Sequence, residues 1–142
     1  MSAFDCSFDT AGLIRDLEIF AARLTGGARR AAQAGAQVMY DEVLLNIPES
    51  DKTHVFYGTH QKYTFSPGTL RRSIYQVYSK DHSGYTHATY HVSWNHKECP
   101  YGFMVENGTS RAAAHPFIRK AWENRNKGLE EVMLHALLKG KE

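Results

Sequence analysis

The sequence of 142 residues lacks any long apolar run of the kind that crosses a membrane. A membrane-spanning helix needs about 20 predominantly apolar residues in succession. The first nine residues, MSAFDCSFD, also lack the basic start and the apolar stretch of a secretory signal. We therefore expect no membrane partner, and a protein that remains in the cytosol of the cell that makes it.

Cysteine is scarce and follows no pattern. Cys6 and Cys99 are far apart in the sequence and form neither a CxxC motif nor a spacing typical of metal ligands. A chain of this length can bury a core without disulfide bonds. Two thiols in such a chain indicate a reducing compartment and free cysteines.

The eight histidines show no arrangement typical of a metal site. Two ligands on one element are expected four residues apart on a helix or two residues apart on a strand. His87 and His91 are four apart on a predicted strand, and His91, His96 and Cys99 would converge only if the loop between them folded back. We expect exposed histidines, no metal and no other cofactor.

Motifs of catalytic sites are also missing. No GxSxG motif surrounds Ser73 or Ser93, and there is no glycine loop of the Walker or Rossmann type. Cys99 has His96 nearby, but a cysteine–histidine pair also needs an orienting group and an oxyanion hole. We expect no catalytic residue and no enzymatic activity, and keep a small hydrolase or metal protein as an alternative.

The charge balance does not indicate a nucleic-acid-binding protein. The net charge is +2, and the basic pairs Arg29-Arg30 and Arg71-Arg72 stand alone. Binding driven by phosphate contacts needs a clustered basic face. One alternative of this class stays open, in which a basic and aromatic loop binds single strands through Lys52, His54, Tyr57, Lys62 and Tyr63.

The residues that are present are typical of one globular domain over residues 1–142, with 42% hydrophobic and 23% charged residues. A first helix is expected after a cap at Asp9 or Thr10, and Thr25-Gly26-Gly27 is expected to end it. Its apolar row has spacings of four, three and four: Leu13, Leu17, Phe20 and Leu24. A second helix is expected from about residue 28 to residue 46, before Pro48.

The first half of this second helix, ARRAAQAGAQ, is rich in alanine and contains Gly35. Small side chains allow another backbone to approach closely. Two interpretations are open: tight packing within the chain, and contact with another subunit.

Residues 48–66 are expected to form an irregular loop that is either functional or mobile. The loop contains five large apolar or aromatic residues, namely Val55, Phe56, Tyr57, Tyr63 and Phe65. Because such side chains are costly to leave in water, we expect the loop to dock on its own domain or on a neighbour. It ends at Ser66-Pro67, which can cap one helical turn over residues 68–72.

Two antiparallel strands are predicted next, residues 74–79 and 88–94, joined by a turn near Ser83-Gly84. In the second strand apolar residues alternate with polar ones, which is typical of a sheet with one buried face. A short helix then ends at Asn107, closed by Gly108 in a left-handed conformation. The last helix is expected to start at Pro116. The predicted fold class is α+β: a small antiparallel sheet packed with two N-terminal helices and a long C-terminal helix.

Three segments carry a resemblance to a known family. They are GAQVMYDEVLLNIP at 35–48, PGTLRRSI at 67–74 and YGFMVENGTSRAAAHPFIRKAW at 101–122. In this order they resemble the tail-component (neck or tail-completion) family of long-tailed bacteriophages, typified by lambdoid siphophages. The chain departs from the family pattern in two respects: about eighteen residues separate the first two segments where the family often has only a few, and the Thr-Gly order is inverted to Gly68-Thr69.

The resemblance implies a structural virion protein without enzymatic activity, located at the head–tail junction and in the host cytoplasm during assembly. It implies a closed homo-oligomeric ring that contacts head-completion proteins and tail proteins, with DNA passing through without specific recognition. A tail terminator, which caps the tail tube, is the alternative within the same class.

The family-like segments also supply candidate residues for the fold and its interfaces. Leu70 and Ile74 are expected to anchor the turn into the sheet, and Phe103, Phe117 and Ile118 to hold the last helix. We expect Glu106 to be a partly buried acid paired with Arg71 or Arg111. The full set of candidates is Leu70, Arg71, Ile74, Glu106, Gly108, Arg111, Pro116 and Phe117.

Overall fold

The structure is a computed structural model and describes residues 10–57 and 60–139. It contains four helices and four strands in the described part of the chain: α1 (Thr10–Asn46), β1 (His54–Tyr57), β2 (Lys62–Phe65), α2 (Thr69–Ser73), β3 (Ile74–Ser79), β4 (Thr89–Trp94), α3 (Gly102–Asn107) and α4 (Ile118–Leu138). The predicted α+β class is confirmed. Cys6 and Asp9 lie outside the described residues.

One continuous helix, α1, replaces the two predicted N-terminal helices. Its 37 residues give it a length of about 55 Å. The predicted break at Thr25-Gly26-Gly27 is wrong, because the helix passes through both glycines. The Thr25 hydroxyl donates a hydrogen bond of 2.9 Å to the carbonyl of Ala21 within the helix. The predicted end at residue 46, before Pro48, is confirmed.

The helices α1 and α4 pack against each other in antiparallel directions. Close approach is possible because α1 presents glycine and alanine to α4. A Cβ at Gly27 would lie 2.5 Å from Leu137 Cδ1, and one at Gly35 would lie 3.0 Å from the Met133 side chain. The alanine-rich stripe is therefore buried within the chain, which decides between the two interpretations left open above. Gly128 of α4 faces open space and does not interrupt that helix.

Residues 48–66 are not irregular throughout, since they contain the antiparallel hairpin β1–β2. Val55 pairs with Thr64, and Phe56 pairs with Tyr63. The prediction of an irregular loop was wrong. Two runs of residues with high strand propensity flank a short segment that contains Gly58, and this pattern is a hairpin signal that the prediction did not take into account.

The turn after the hairpin also differs slightly from the prediction. Helix α2 begins at Thr69 rather than after a Ser66 cap, and its N-cap is Gly68, with φ of 74°. The Ser66 side chain does not cap this helix. Instead, the Thr69 hydroxyl donates a hydrogen bond of 2.7 Å to the Ser66 carbonyl.

The second sheet agrees with the prediction. β3 and β4 pair antiparallel, with Ile74 opposite Trp94 and Val77 opposite His91. Ile74 and Trp94 are buried on the inner face, where α1 lies against the sheet. Two side-chain contacts join α1 to this face: Gln76 donates to Gln37 at 2.7 Å, and the Arg29 guanidinium lies 4.3 Å from the centre of the Tyr78 ring.

The core lies where α1, the β3–β4 sheet and the start of α4 meet. It is small, and every element except the hairpin contributes to it or packs against it. Its buried members are Val43, Ile47, Leu70, Ile74, Trp94, Cys99, Phe117 and Ala121. No helix within residues 10–57 and 60–139 is long and apolar enough to cross a membrane.

Candidate functional site

Glu106 of α3 connects α3 to the start of α4 through hydrogen bonds. Its carboxylate accepts backbone hydrogen bonds from Phe117 (2.7 Å), Ile118 (3.0 Å) and Arg119 (3.0 Å). These are the amides that a helix N-terminus leaves unpaired, and an anion is favoured there by the helix dipole. Glu106, which is buried, is therefore the cap of α4, supplied from another helix.

The predicted partners of Glu106 are wrong. Arg71 donates instead to the Leu44 carbonyl at 2.9 Å and to Glu49 at 3.0 Å, so it joins α2 to the end of α1. Arg111 is exposed in the turn between α3 and α4. A buried carboxylate predicts a cation as its partner, but three backbone amides satisfy the hydrogen bonding of Glu106, and no sequence pattern indicates such amides.

Gly108 shapes the turn that brings α3 and α4 together. Its φ is 77° and its ψ is 177°, so the positive φ is confirmed but the conformation is extended rather than left-handed helical. That region is accessible essentially to glycine alone. A Cβ at Gly108 would also lie 2.8 Å from the Ala114 nitrogen. Pro116 precedes the helix by two residues rather than starting it, because α4 begins at Ile118.

Of the three residues expected to hold α4, two do so. Phe117 is fully buried, with its ring 5.8 Å from that of Trp94 in an edge-to-face arrangement. Ile118 is partly buried against the core. Phe103 is 60% exposed, so its predicted role is wrong: it lies on the outer side of α3. Leu70 and Ile74 are both buried in the core, as predicted.

A second buried acid, Glu42 of α1, was missed by the sequence analysis. Asn124 donates to its carboxylate at 2.8 Å, and the Arg125 Nε donates at 2.8 Å. These two hydrogen bonds hold the pKa of the Glu42 carboxyl below its ordinary value, and the bond from Asn124 has the larger effect. The residues are more than 80 positions apart, so no local pattern indicates the pair.

Cys99 is not placed as a nucleophile. It is fully buried, and burial raises the pKa of its thiol. The pKa of Tyr101 is raised to about 12. Burial is the largest cause, and the hydrogen bond with Cys99 is the second. A reactive thiol has a lowered pKa instead. The nearby His96 contacts Trp94, with ring centres 4.8 Å apart.

A cleft of about 490 Å³ lies between the end of α1, the hairpin, α2 and α3. Its walls are mostly apolar and include Ile47, Phe56, Leu70, Tyr101 and Met104. All three family-like segments, 35–48, 67–74 and 101–122, thus line the same cleft. Among the described residues, no three His, Cys, Asp or Glu side chains are placed to hold a metal ion.

The hairpin docks on its own chain by one side only. Phe56 and Phe65 contact the Tyr101 ring, with centroid distances of 5.9 and 4.7 Å. Val55 and Tyr57 lie on the opposite face of the hairpin and are 41% and 80% exposed. Tyr63 lies on the docking face beside Phe65 and is 43% exposed. The prediction that this segment docks is confirmed for a contact with its own chain, and the face of the hairpin that carries Val55 and Tyr57 is exposed.

The outer face of the β3–β4 sheet is the second exposed apolar surface. Tyr75 and Val77 point away from α1 and are exposed, beside His91 on the neighbouring strand. Both sheets have only two strands, so each strand has one edge without a β partner in the described chain. Unpaired edges next to apolar faces are typical templates for strand addition.

The third surface is the arm, which we define as residues 10–26 of α1. Leu137 of α4 reaches Gly27, and α4 ends at Leu138, so the arm extends past the end of its partner helix. The predicted helix is confirmed here, but its apolar face is not covered by any other described residue. The large side chains on this face and at its edge are 51% to 60% exposed: Leu13, Ile14, Leu17 and Phe20. Ile19, 44% exposed, lies on another side of the helix.

Comparisons of the chain with models of protein families, with curated proteins and with solved structures found no match.

Proposed function

We propose that the chain is a structural subunit of the head–tail junction of a long-tailed bacteriophage, a neck or tail-completion protein whose copies form a closed ring. The observation that carries this proposal is the distribution of large apolar side chains. In the described part of the chain many of them lie at the surface rather than in the core, on the arm, the hairpin and the outer sheet face and also on α3 and α4. Exposed apolar patches of this extent are typical of surfaces that contact other proteins.

The two small sheets support an assembly of identical subunits. A two-stranded sheet is marginally stable by itself in water. A neighbouring subunit that adds a strand to β2 or β3 would satisfy the unpaired edge and cover Tyr63 or Tyr75. A contact between two different surfaces of the same protein repeats around an axis, and it closes into a ring when the rotation permits.

The family-like segments serve as joints in this fold. PGTLRRSI places Leu70 and Ile74 in the core, and the segment 101–122 contains the Glu106 cap and the buried Phe117. These contacts fix α2, the start of β3 and α4 relative to α1. A ring needs such rigidity, because small changes in the angle between two contact surfaces change the number of subunits that closes the ring.

The proposed partners are head-completion proteins on one side of the ring and tail proteins on the other, with DNA in the channel. The net charge of +2 is compatible with DNA that passes without being held. Specific recognition of bases would need polar side chains presented to a groove.

The proposal is tested by electron microscopy of particles produced from a phage genome with and without this gene. Filled heads and finished tails of normal length that accumulate separately would support the neck role, and the protein supplied in trans should restore joined particles. Tails of irregular length would indicate a tail terminator instead. Normal joined particles that lack the chain would refute both.

A second candidate is a module that binds single-stranded nucleic acid. One observation favours it: Tyr57 is exposed on the hairpin, and the Lys62 ammonium lies 6.0 Å from the centre of its ring. An exposed aromatic ring next to a cation can stack on a base and contact its phosphate. Titration of fluorescent oligonucleotides at several salt concentrations tests this function. The function requires binding that depends steeply on salt and that Tyr57→Ala weakens. Tyr85→Ala, at another exposed tyrosine, is the control and should leave the binding unchanged.

A further inference from the structure

The apolar stripe of α1 is continuous, but α4 covers only part of it. Gly27 and Gly35 lie on the covered part, under Leu137 and Met133. Toward the N-terminus the same stripe continues into the arm with spacings of three and four residues, through Leu24, Phe20, Leu17 and Leu13. Within the described residues nothing takes the place of α4 there. The stripe therefore lacks a helix-shaped partner over about 25 Å.

We propose that the arm of a second copy of this chain covers this stripe, with the two arms packed antiparallel as a two-helix coiled coil. The alternating spacing of three and four residues is the spacing of coiled-coil seams. In an antiparallel pair with a two-fold axis between Leu17 and Phe20, Leu17 of each arm lies level with Phe20 of the other, and Leu13 lies level with Leu24. Every large side chain of the seam then contacts an apolar partner.

The exposed area fits a weak contact of this kind. The four large exposed side chains on and beside the stripe of one arm present on the order of 450 Å² of apolar surface, which is in the range of the largest patch on a monomeric protein. Two arms together would remove on the order of 900 Å² from water, which is at the low end for protein interfaces, where weak and transient contacts lie. We therefore expect a reversible dimer rather than a permanent one.

The charges beside the stripe specify the direction of packing. Asp16 and Arg23 lie on the same edge of the stripe, since seven residues complete two helical turns. In an antiparallel pair this edge faces the same edge of the partner, so Asp16 of each copy lies near Arg23 of the other. A parallel pair would not bring them together in this way. The opposite edge carries Ile14 and Ala21, which widen the apolar contact.

This contact is separate from the one that builds a ring. A two-fold contact uses the same surface on both copies and closes with two subunits, so it cannot propagate around a ring. The inference therefore does not rest on the proposed phage function. A dimer could form whether or not the protein belongs to a virion, and the virion experiment could fail without affecting the dimer.

Analytical ultracentrifugation of the full chain over a range of concentrations tests the pairing. The wild type should show a reversible monomer–dimer equilibrium. Leu17→Gln should raise the dissociation constant by at least about tenfold, because each dimer loses two leucine contacts. Ala22→Gln introduces the same side chain on the opposite face of the arm and should leave the constant unchanged. A wild type that is monomeric at all concentrations would overturn the proposal, and residues 1–9 or another protein would then be the cover.

A charge exchange tests the direction. Arg23→Asp should weaken the dimer by about fivefold, because it places two acids together at two symmetric positions. The double variant Asp16→Arg/Arg23→Asp restores opposite charges and should return the constant to within about twofold of the wild type. Failure of the double variant to recover, with its helix content unchanged by circular dichroism, would overturn the antiparallel arrangement.

Discussion

The Glu106 carboxylate lies 2.7 Å from the backbone nitrogen of Phe117, the residue at which the chain enters α4. The same carboxylate accepts two further amide hydrogen bonds, so a side chain of α3 fixes both the start and the direction of α4. Since α4 covers the glycine–alanine stripe of α1, this one carboxylate links the turn after α3 to the longest helix pair of the fold.

Replacement of Glu106 should therefore destabilise the protein more than replacement of an exposed acid on α4. Glu106→Ala removes three charge-assisted hydrogen bonds and leaves buried amides unpaired, so we expect a loss of about 2–4 kcal/mol in the free energy of unfolding. Glu123→Ala, on the exposed side of α4, should change it by less than about 0.5 kcal/mol. Urea unfolding followed by circular dichroism measures both, and equal effects would contradict the capping role.

The two phenylalanines assigned to α4 should differ sharply. Phe117 is fully buried, and Phe117→Ala should cost about 3–5 kcal/mol because it leaves a cavity beside Trp94. Phe103 is mostly exposed, and Phe103→Ala should cost less than about 1 kcal/mol. Chemical denaturation of the two variants checks this. A large loss for Phe103→Ala would mean that α3 is covered in solution, for example by another subunit.

The sequence predicted those parts of the fold that depend on local patterns. Alternation of apolar and polar residues located β4, and the apolar positions of PGTLRRSI correctly placed Leu70 and Ile74 in the core. The hairpin also had a local signal, since VFY and KYTF flank a short segment with Gly58, but the length of the whole stretch 48–66 favoured a loop.

The parts that could not be predicted depend on contacts between distant residues. Gly27 looks like a helix end in the sequence, yet the approach of Leu137 gives the glycine a packing role inside one helix. Local helix propensity is a weak guide wherever tertiary packing compensates for it. Glu42 meets Arg125 only once α1 and α4 are aligned, and Glu106 meets amides rather than a cation. Neither relation is visible before the helices are placed.

The neighbouring glycines of α1 provide a matched pair of variants. A Cβ at Gly26 meets nothing within 4 Å, so Gly26→Ala should stabilise the protein by about 0.5–1 kcal/mol through helix propensity alone. A Cβ at Gly27 would lie 2.5 Å from Leu137 Cδ1 and 3.3 Å from the Leu137 carbonyl oxygen. Gly27→Ala should therefore be less stable than Gly26→Ala by about 1–3 kcal/mol. Thermal unfolding of both tests whether the helix passes unbroken under α4; equal stabilisation would contradict that packing.

Stability should depend on pH through Glu42. Hydrogen bonds from Asn124 and Arg125 lower the pKa of this carboxyl in the folded protein, so the folded state favours its ionised form. The resulting stabilisation is fully present above the unfolded pKa, which is about 4.3, and is lost as the pH falls through the lower folded value. Glu42→Gln should therefore reduce the free energy of unfolding at pH 7, and the difference from the wild type should shrink as the pH falls below about 4.

Glu130→Gln, at an exposed position on α4, serves as the control and should show no such dependence. A difference between wild type and Glu42→Gln that stays constant from pH 7 to pH 3 would show that the ionised carboxylate is not what Asn124 and Arg125 hold.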